Sequence, residues 1–270
     1  MLRCISYYFN PNNSEKIRQD FKNFKDNFNG PLIVAEVAFE DQSFWIDDSI
    51  RIQANDSNRM WQGHRLINIA LQSLPTNIDK VAWVNPNIIM ENFAWARNTS
   101  ELLDFFPVTQ LCSYVDDDNL AYVIKSKQHA DYDIKVNNQA ERIGRYDVGW
   151  AAQRSQLPQG VFDFGIEGSC DIYQLLSWQG AWDNRYFMRL DPEVRMQIMQ
   201  KTMDDFMVVK NNIGFIDGNI NTLSESRTNH YDILNQHNFN IEQDIQLDEN
   251  GLWQWASDKT DFHKDIADIL

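Results

Sequence analysis

Nowhere in these 270 residues does an apolar run reach the about 20 residues needed to cross a bilayer, which argues against a membrane span. The amino-terminal stretch MLRCISYYFNPNN lacks the apolar core and small-residue cleavage site of a signal peptide, so the expected compartment is the cytoplasm. Cysteine is scarce. Cys4, Cys112 and Cys170 form no CxxC pair, which argues against a zinc ribbon and a disulfide framework and fits a reducing compartment. Basic residues are also in deficit: 24 Lys and Arg against 39 Asp and Glu leave a net charge of −15, a poor match to nucleic acid phosphates. The chain contains no GxSxG, P-loop or GxGxxG, and its five histidines show no HxxxH spacing.

What is present is a globule-forming composition, 43% hydrophobic and 13% aromatic. RCISYYF, PLIVAEVAF, SIRIQA, KVAWV and VTQLCSYV read as strands, several of them apolar throughout, as strands buried on both faces are. Between them, NNSEKIRQDFKNFKDNF, MWQGHRLINIALQSL and NFAWARNTSELLDFF carry apolar residues at helical spacing. The alternation predicts an α/β fold with a mixed, largely parallel central sheet flanked by helices, in one domain. Residues 116–149 are polar and patchily apolar, the pattern of a long functional loop. Beyond them, DIYQLLSWQGAW and DPEVRMQIMQKTMDDFMVVK predict helices, the second with Pro192 at its first position. IGFIDGNI reads as one strand, and DIQLDENGLWQW as two strands around an Asn250-Gly251 turn.

One short stretch holds the functional question. KVAWV runs straight into Asn85-Pro86-Asn87, at a strand end where ligands of open α/β sheets collect. Around it, segments from most of the chain follow a familiar order: SYYFNP (Ser6 to Pro11), VAEVAFEDQSF (Val34 to Phe44), MWQGHRLINIAL (Met60 to Leu71) and VAWVNPNIIMENFAWA (Val81 to Ala96). LLDFFPVTQLCS (Leu102 to Ser113), VGWAAQR (Val148 to Arg154), GSCDIYQLLSWQG (Gly168 to Gly180) and ILNQHNFNIEQDIQLDENGLWQWASDKTDFH (Ile233 to His263) continue it. In these segments the chain resembles the GT-A nucleotide-sugar glycosyltransferases. The resemblance implies a Rossmann-like GT-A fold, residues 1–115 forming the nucleotide-binding half and residues 116–270 the acceptor side and a C-terminal extension.

Active members of that family hold Mn²⁺ or Mg²⁺ on an Asp-x-Asp motif, the metal offsetting charge on the leaving diphosphate. Here both aspartates are asparagines, and a divalent cation is usually held by at least one carboxylate. The turn therefore reads either as an amide-lined ligand contact by Asn85 and Asn87 or simply as the exit from a strand. A histidine-bearing family segment is replaced by NTLSES, with Thr222 and Glu225 near the histidine positions, and Gly63 stands where relatives carry lysine. The resemblance places the catalytic base at Asp171, which reads equally as a helix N-cap. It places nucleotide contacts at Arg65 and Asn68, Arg65 reading otherwise as a surface ion pair. Trp150 reads as a sugar-stacking ring or as core. The expectation is a glycosyltransferase-like protein that moves sugar from a UDP- or GDP-linked donor to a glycan or other hydroxyl acceptor, with no cofactor and metal-dependent catalysis lost. Arg59, Arg65 or Arg227 would then replace part of the metal's charge. The alternative is an inactive pseudo-glycosyltransferase that binds or scaffolds a protein partner.

Overall fold

The computed structural model describes residues 2–116, 119–121, 145–224 and 230–270. The glutamate proposed near the histidine positions (225), the arginine at 227 and most of the 116–149 loop lie outside these residues.

The apolar runs form the strands expected of them: β1 (Leu2–Phe9), β2 (Leu32–Phe39), β3 (Ile50–Ala54) and β4 (Lys80–Val84). Short strands follow at β5 (Ile88–Met90), β6 (Val108–Gln110), β7 (Tyr114–Val115), β8 (Asn119–Leu120) and β9 (Gly149–Gln153). The last four are β10 (Ile213–Phe215), β11 (Asn219–Thr222), β12 (Ile245–Leu247) and β13 (Trp253–Trp255). The main sheet has seven strands in the order β10-β6-β9-β4-β1-β2-β3. All its pairings are parallel except those of β9, which runs antiparallel to both β4 and β6. A smaller sheet, β5-β11-β7-β8, and the β12-β13 hairpin hold the other strands among the described residues. This is the mixed, largely parallel sheet that the sequence predicts.

Helices cover both faces: α1 (Glu15–Asn27), α2 (Gly63–Ser73), α3 (Trp95–Leu102), α4 (Cys170–Gln179), α5 (Arg185–Met188), α6 (Pro192–Val209), α7 (Tyr231–Gln236), α8 (Ile241–Asp244) and α9 (Thr260–Asp268). Alternation along β1 sorts the core into two layers. Ile5, Tyr7 and Phe9 pack with α2, α4 and α6 on one face, while Cys4 and Tyr8 pack with Phe21 and Phe24 of α1 on the other. Ser14 caps α1 by accepting the Ile17 amide at 3.4 Å. IGFIDGNI departs from the single strand expected. It splits into β10 and β11 in different sheets around Gly218, whose φ of 140° is left-handed backbone that ends a strand.

All three cysteines are buried free thiols. Among the described residues no helix is long and apolar enough to cross a membrane.

Candidate functional site

The chain passes from β1 through β2 to β3 on one side of the sheet, then returns to place β4 on the other side of β1. Beyond the carboxyl ends of β1 and β4, this reversal opens a crevice, the position where open α/β sheets bind ligands. A cleft with a cavity volume of about 190 Å³ lies there. Tyr7, Tyr8 and Phe9 line it from the end of β1, Ile17, Asp20 and Phe21 from α1, and Trp61 from the approach to α2. The Asn85-Pro86-Asn87 turn lines it next to Tyr146 and Asp147, which lead into β9. Gly168, Ser169, Asp171 and Ile172 at the start of α4, with Ser224 after β11, complete it.

Three of the residues singled out in the sequence therefore meet in one cleft: Asn85, Asn87 and Asp171. Asp171 is not a helix cap. Ser169 holds the N-cap position of α4, and Asp171 sits in the first turn, where a carboxylate suits the helix dipole. Its Oδ1 lies 3.2 Å from Nε2 of His64, a side chain only 3% exposed. Nδ1 of His64 is buried and meets no hydrogen-bond partner among the described residues. The tautomer that avoids stranding an N–H there carries its proton on Nε2, so His64 donates to Asp171 and fixes the carboxylate's direction.

The two asparagines work as amides. Tyr7 Oη donates to Oδ1 of Asn85 at 2.8 Å, and Asn85 Nδ2 donates to the Asp147 carbonyl oxygen. Nδ2 of Asn87 donates to Ser224 Oγ at 3.1 Å. A carboxylate at position 85 has no hydrogen to give and would face a carbonyl oxygen instead. A divalent cation, the group implied by the resemblance, does not fit this turn: both side chains are neutral and both are engaged as donors. Nor do the described residues include any group of three or more His, Cys, Asp or Glu side chains placed to hold a metal ion. Restoring the acidic pair with Asn85→Asp and Asn87→Asp is expected to lower stability by about 1 kcal/mol, through a half-buried carbonyl oxygen left facing a carboxylate, without creating Mn²⁺ affinity. Thermal unfolding and Mn²⁺ calorimetry on the double variant check both parts.

The remaining candidates fall elsewhere. Arg65 does not line the cleft. Its Nη1 pairs with Asp163 at 3.1 Å, its Nε donates to the Gly251 carbonyl, and its guanidinium lies over the Trp253 ring. With side-chain exposures of 11% and 6%, Arg65 and Asp163 form a buried pair rather than the surface pair the sequence suggested. Asn68 is also turned inward, donating to the Val161 carbonyl and to Asp163, each at 2.8 Å. Trp150 is corrected from sugar contact to core. Its ring is 2% exposed, set edge-on to Trp178 with centroids 5.2 Å apart, and its Nε1 donates to the Tyr146 carbonyl. Arg59 pairs with Asp56 at 2.7 Å, away from the cleft. Thr222 binds the Asp116 carboxylate through its backbone N and its Oγ1, at 2.6 and 2.8 Å.

Gly63, where the resemblance implied a lysine, has a steric reason. A Cβ there would stand 2.4 Å from the Trp61 ring and 3.0 Å from that of Tyr7. These two rings meet edge to face at 5.6 Å and form part of the cleft's aromatic wall.

Sequence reasoning missed His64, Tyr7, Asp147 and Ser224. Only the pairing of distant segments exposes their roles.

No protein-family model matches the chain, and no curated protein matches it. Among solved structures, it is similar to a candidate nucleotide-diphospho-sugar transferase from Desulfovibrio desulfuricans G20, at 9% identity and a TM-score of 0.41 over 82% of this chain and 80% of that one. It is similar at 10% identity and a TM-score of 0.41 to glucosyl-3-phosphoglycerate synthase from Mycobacterium tuberculosis, a structure holding Mn²⁺, UDP-glucose and phosphoglyceric acid, over 88% and 76% of the two chains. A third, 4-diphosphocytidyl-2C-methyl-D-erythritol synthase from Anaerococcus prevotii, matches at 8% identity and a TM-score of 0.40 over 81% and 87%. At this level the likeness carries no chemistry, which has to come from the residues of the cleft.

Proposed function

We propose that this chain is a glycosyltransferase-like protein that takes a nucleotide sugar at the β1/β4 crevice without a cation on the Asn85-Pro86-Asn87 turn. In this reading it is one domain, with residues 1–115 serving the donor and residues 116–270 the acceptor. The observation that carries it is Asp171, held by His64 on the lining of the same cleft as Asn85 and Asn87. The acceptor hydroxyl gives its proton to Asp171 as its oxygen bonds to the anomeric carbon, and the bond from that carbon to the diphosphate oxygen breaks. The nucleoside diphosphate leaves with the electron pair. His64 donates to Asp171 and orients it, and Tyr7 and the Asp147 carbonyl fix Asn85 as a neutral contact.

The test is release of nucleotide from UDP- and GDP-sugars in the presence of a chelator, with water as the acceptor. Turnover is expected to survive chelation and to fall by about 10²–10⁴-fold in Asp171→Asn, the range for loss of a general base. Absence of release, or release only with added Mn²⁺, overturns the reading.

A second reading, an inactive protein that binds sugar or scaffolds a partner, is favoured by one observation. Among the described residues, no Lys or Arg lines the cleft to offset a leaving diphosphate.

A further inference from the structure

Helix α6 carries an exposed apolar face on the acceptor half of the chain. Five of the chain's eight methionines fall between residues 188 and 207. Four of them, Met196, Met199, Met203 and Met207, recur at steps of three and four residues. That spacing sets them along one side of α6, within about a quarter of its circumference. The far side, with Val194, Ile198 and Val209, is buried in the core with Ile172 and Leu176 of α4. The methionines point the other way: Met196 and Met207 are 54% and 55% exposed, and Met203 is 40% exposed. Single exposed methionines are ordinary. A contiguous stripe marks a contact surface, and unbranched thioether side chains repack readily against a partner.

The charges around the stripe complement a second copy of the same helix. Glu193, in the first turn beside the stripe, and Lys210, just past the last turn, form no ion pair among the described residues. The other charges of α6 are turned away from it: Lys201 is held by Glu242 at 3.7 Å, Arg195 reaches the Met188 sulfur at 2.8 Å, and Asp205 is buried. Turning a second α6 end for end, about a two-fold axis near the helix midpoint, sets Met196 opposite Met207 and Met203 opposite Gln200. In the same register Glu193 of each copy meets Lys210 of the other. Asp204, on the rim, falls at the level of Met199 and Gln200, away from any like charge. A membrane suits the face less: the chain's net charge is −15, and the acids Glu193 and Asp204 flank the stripe where an anionic surface calls for bases. We propose that α6 forms the interface of a two-fold homodimer, packed antiparallel on its own copy through the methionine stripe and closed at both ends by Glu193–Lys210 pairs. No residue of α6 lines the β1/β4 cleft, so the dimer stands apart from the transferase reading.

The test is sedimentation equilibrium of the full chain over about 1 to 200 µM, the range for a reversible dimer held by one helix pair. The mass is expected to rise from monomer toward dimer and no further, because an isologous contact closes on itself. Met203→Lys and, separately, Met207→Lys each place a charge on the stripe and should weaken association at least about tenfold. Both positions are exposed and lysine suits a helix. Unfolding curves show which of the two keeps the fold, and either one that does so suffices. Glu193→Lys and Lys210→Glu each set like charges together twice and should each weaken the dimer at least about fivefold. An equimolar mixture of these two variants should recover it, since each supplies the charge that the other lacks. A chain that stays monomeric throughout overturns the proposal, and binding of that monomer to phosphatidylserine vesicles would assign the face to a membrane instead. A dimer that the lysine variants leave intact also overturns it, as does a mixture of the charge-reversed variants that associates no better than either alone.

Discussion

Arg65→Ala is expected to lower the free energy of unfolding by about 3–5 kcal/mol, the cost of breaking a buried ion pair by removing one partner. The guanidinium spans three segments, reaching Asp163, the Gly251 carbonyl and the Trp253 ring. Burial raises the Asp163 carboxyl above its ordinary range, and the Arg65 charge is the largest influence pulling it back. Without that charge, Asp163 keeps only its bond from Asn68 in an environment that disfavours its ionised form. The hairpin of β12 and β13 loses a tie as well, although Gln62 still donates to the Trp253 carbonyl at 2.7 Å. Urea unfolding measures the loss, and nucleotide binding by the folded fraction should be unchanged. A variant with wild-type stability and lost nucleotide affinity would instead return Arg65 to the ligand contact that the sequence suggested.

The second large effect concerns Glu167, two residues before the Ser169 that lines the cleft. Its side chain is 1% exposed, with Ser169 and Tyr173 as its polar neighbours. Burial pushes its carboxyl from 4.5 up to about 7, against weaker opposing influences from its own backbone and from Ser169 and Tyr173. An acid whose folded pKa is raised holds its proton more tightly when folded. Its contribution is fully present below pH 4.5 and is lost as pH rises through about 7. For this shift the loss amounts to about 3 kcal/mol, at roughly 1.4 kcal/mol for each pH unit. Asp205, raised by burial from 3.8 to about 6, acts in the same direction over a lower range. Glu167→Gln should therefore remove the decline between pH 6 and 7 and leave the Asp205 part in place. It should exceed the wild type in stability at pH 8 by a few kcal/mol. Parallel pH profiles for the two proteins would show that Glu167 is ionised in the folded state at neutral pH.

β1, β2 and β4 of the central sheet were legible because burial on both faces writes itself as unbroken apolar runs, as in CISYYF and KVAWV, whereas VTQLCSYV, read as one strand, divides into β6 and β7 in different sheets. α1 was legible from the helical spacing of its apolar residues, Phe21 and Phe24 among them. What one-dimensional pattern does not carry is the antiparallel insertion of β9 between β4 and β6. That insertion buries Trp150 in register with Trp83 and so keeps it out of the cleft lining. The break at Gly218 was hidden for a similar reason, since the two halves of IGFIDGNI satisfy different sheets. Of the residues lining the cleft, Asn85 and Asn87 were singled out by their place after a strand, and Asp171 by the resemblance of its segment. Arg65 and Asn68 were misplaced because the partner that holds them, Asp163, stands 98 and 95 residues further along the chain. His64 went unassigned because it meets Asp171 across 107 residues.

The central claim is that this cleft works without a divalent cation. Calorimetry with UDP, GDP and their sugar conjugates, in chelator and again with excess Mn²⁺, tests it most directly. The account predicts saturable binding of a sugar nucleotide with the same affinity in both conditions, because Asn85 and Asn87 offer the cation no charge. Binding that appears or tightens only with Mn²⁺ would contradict it.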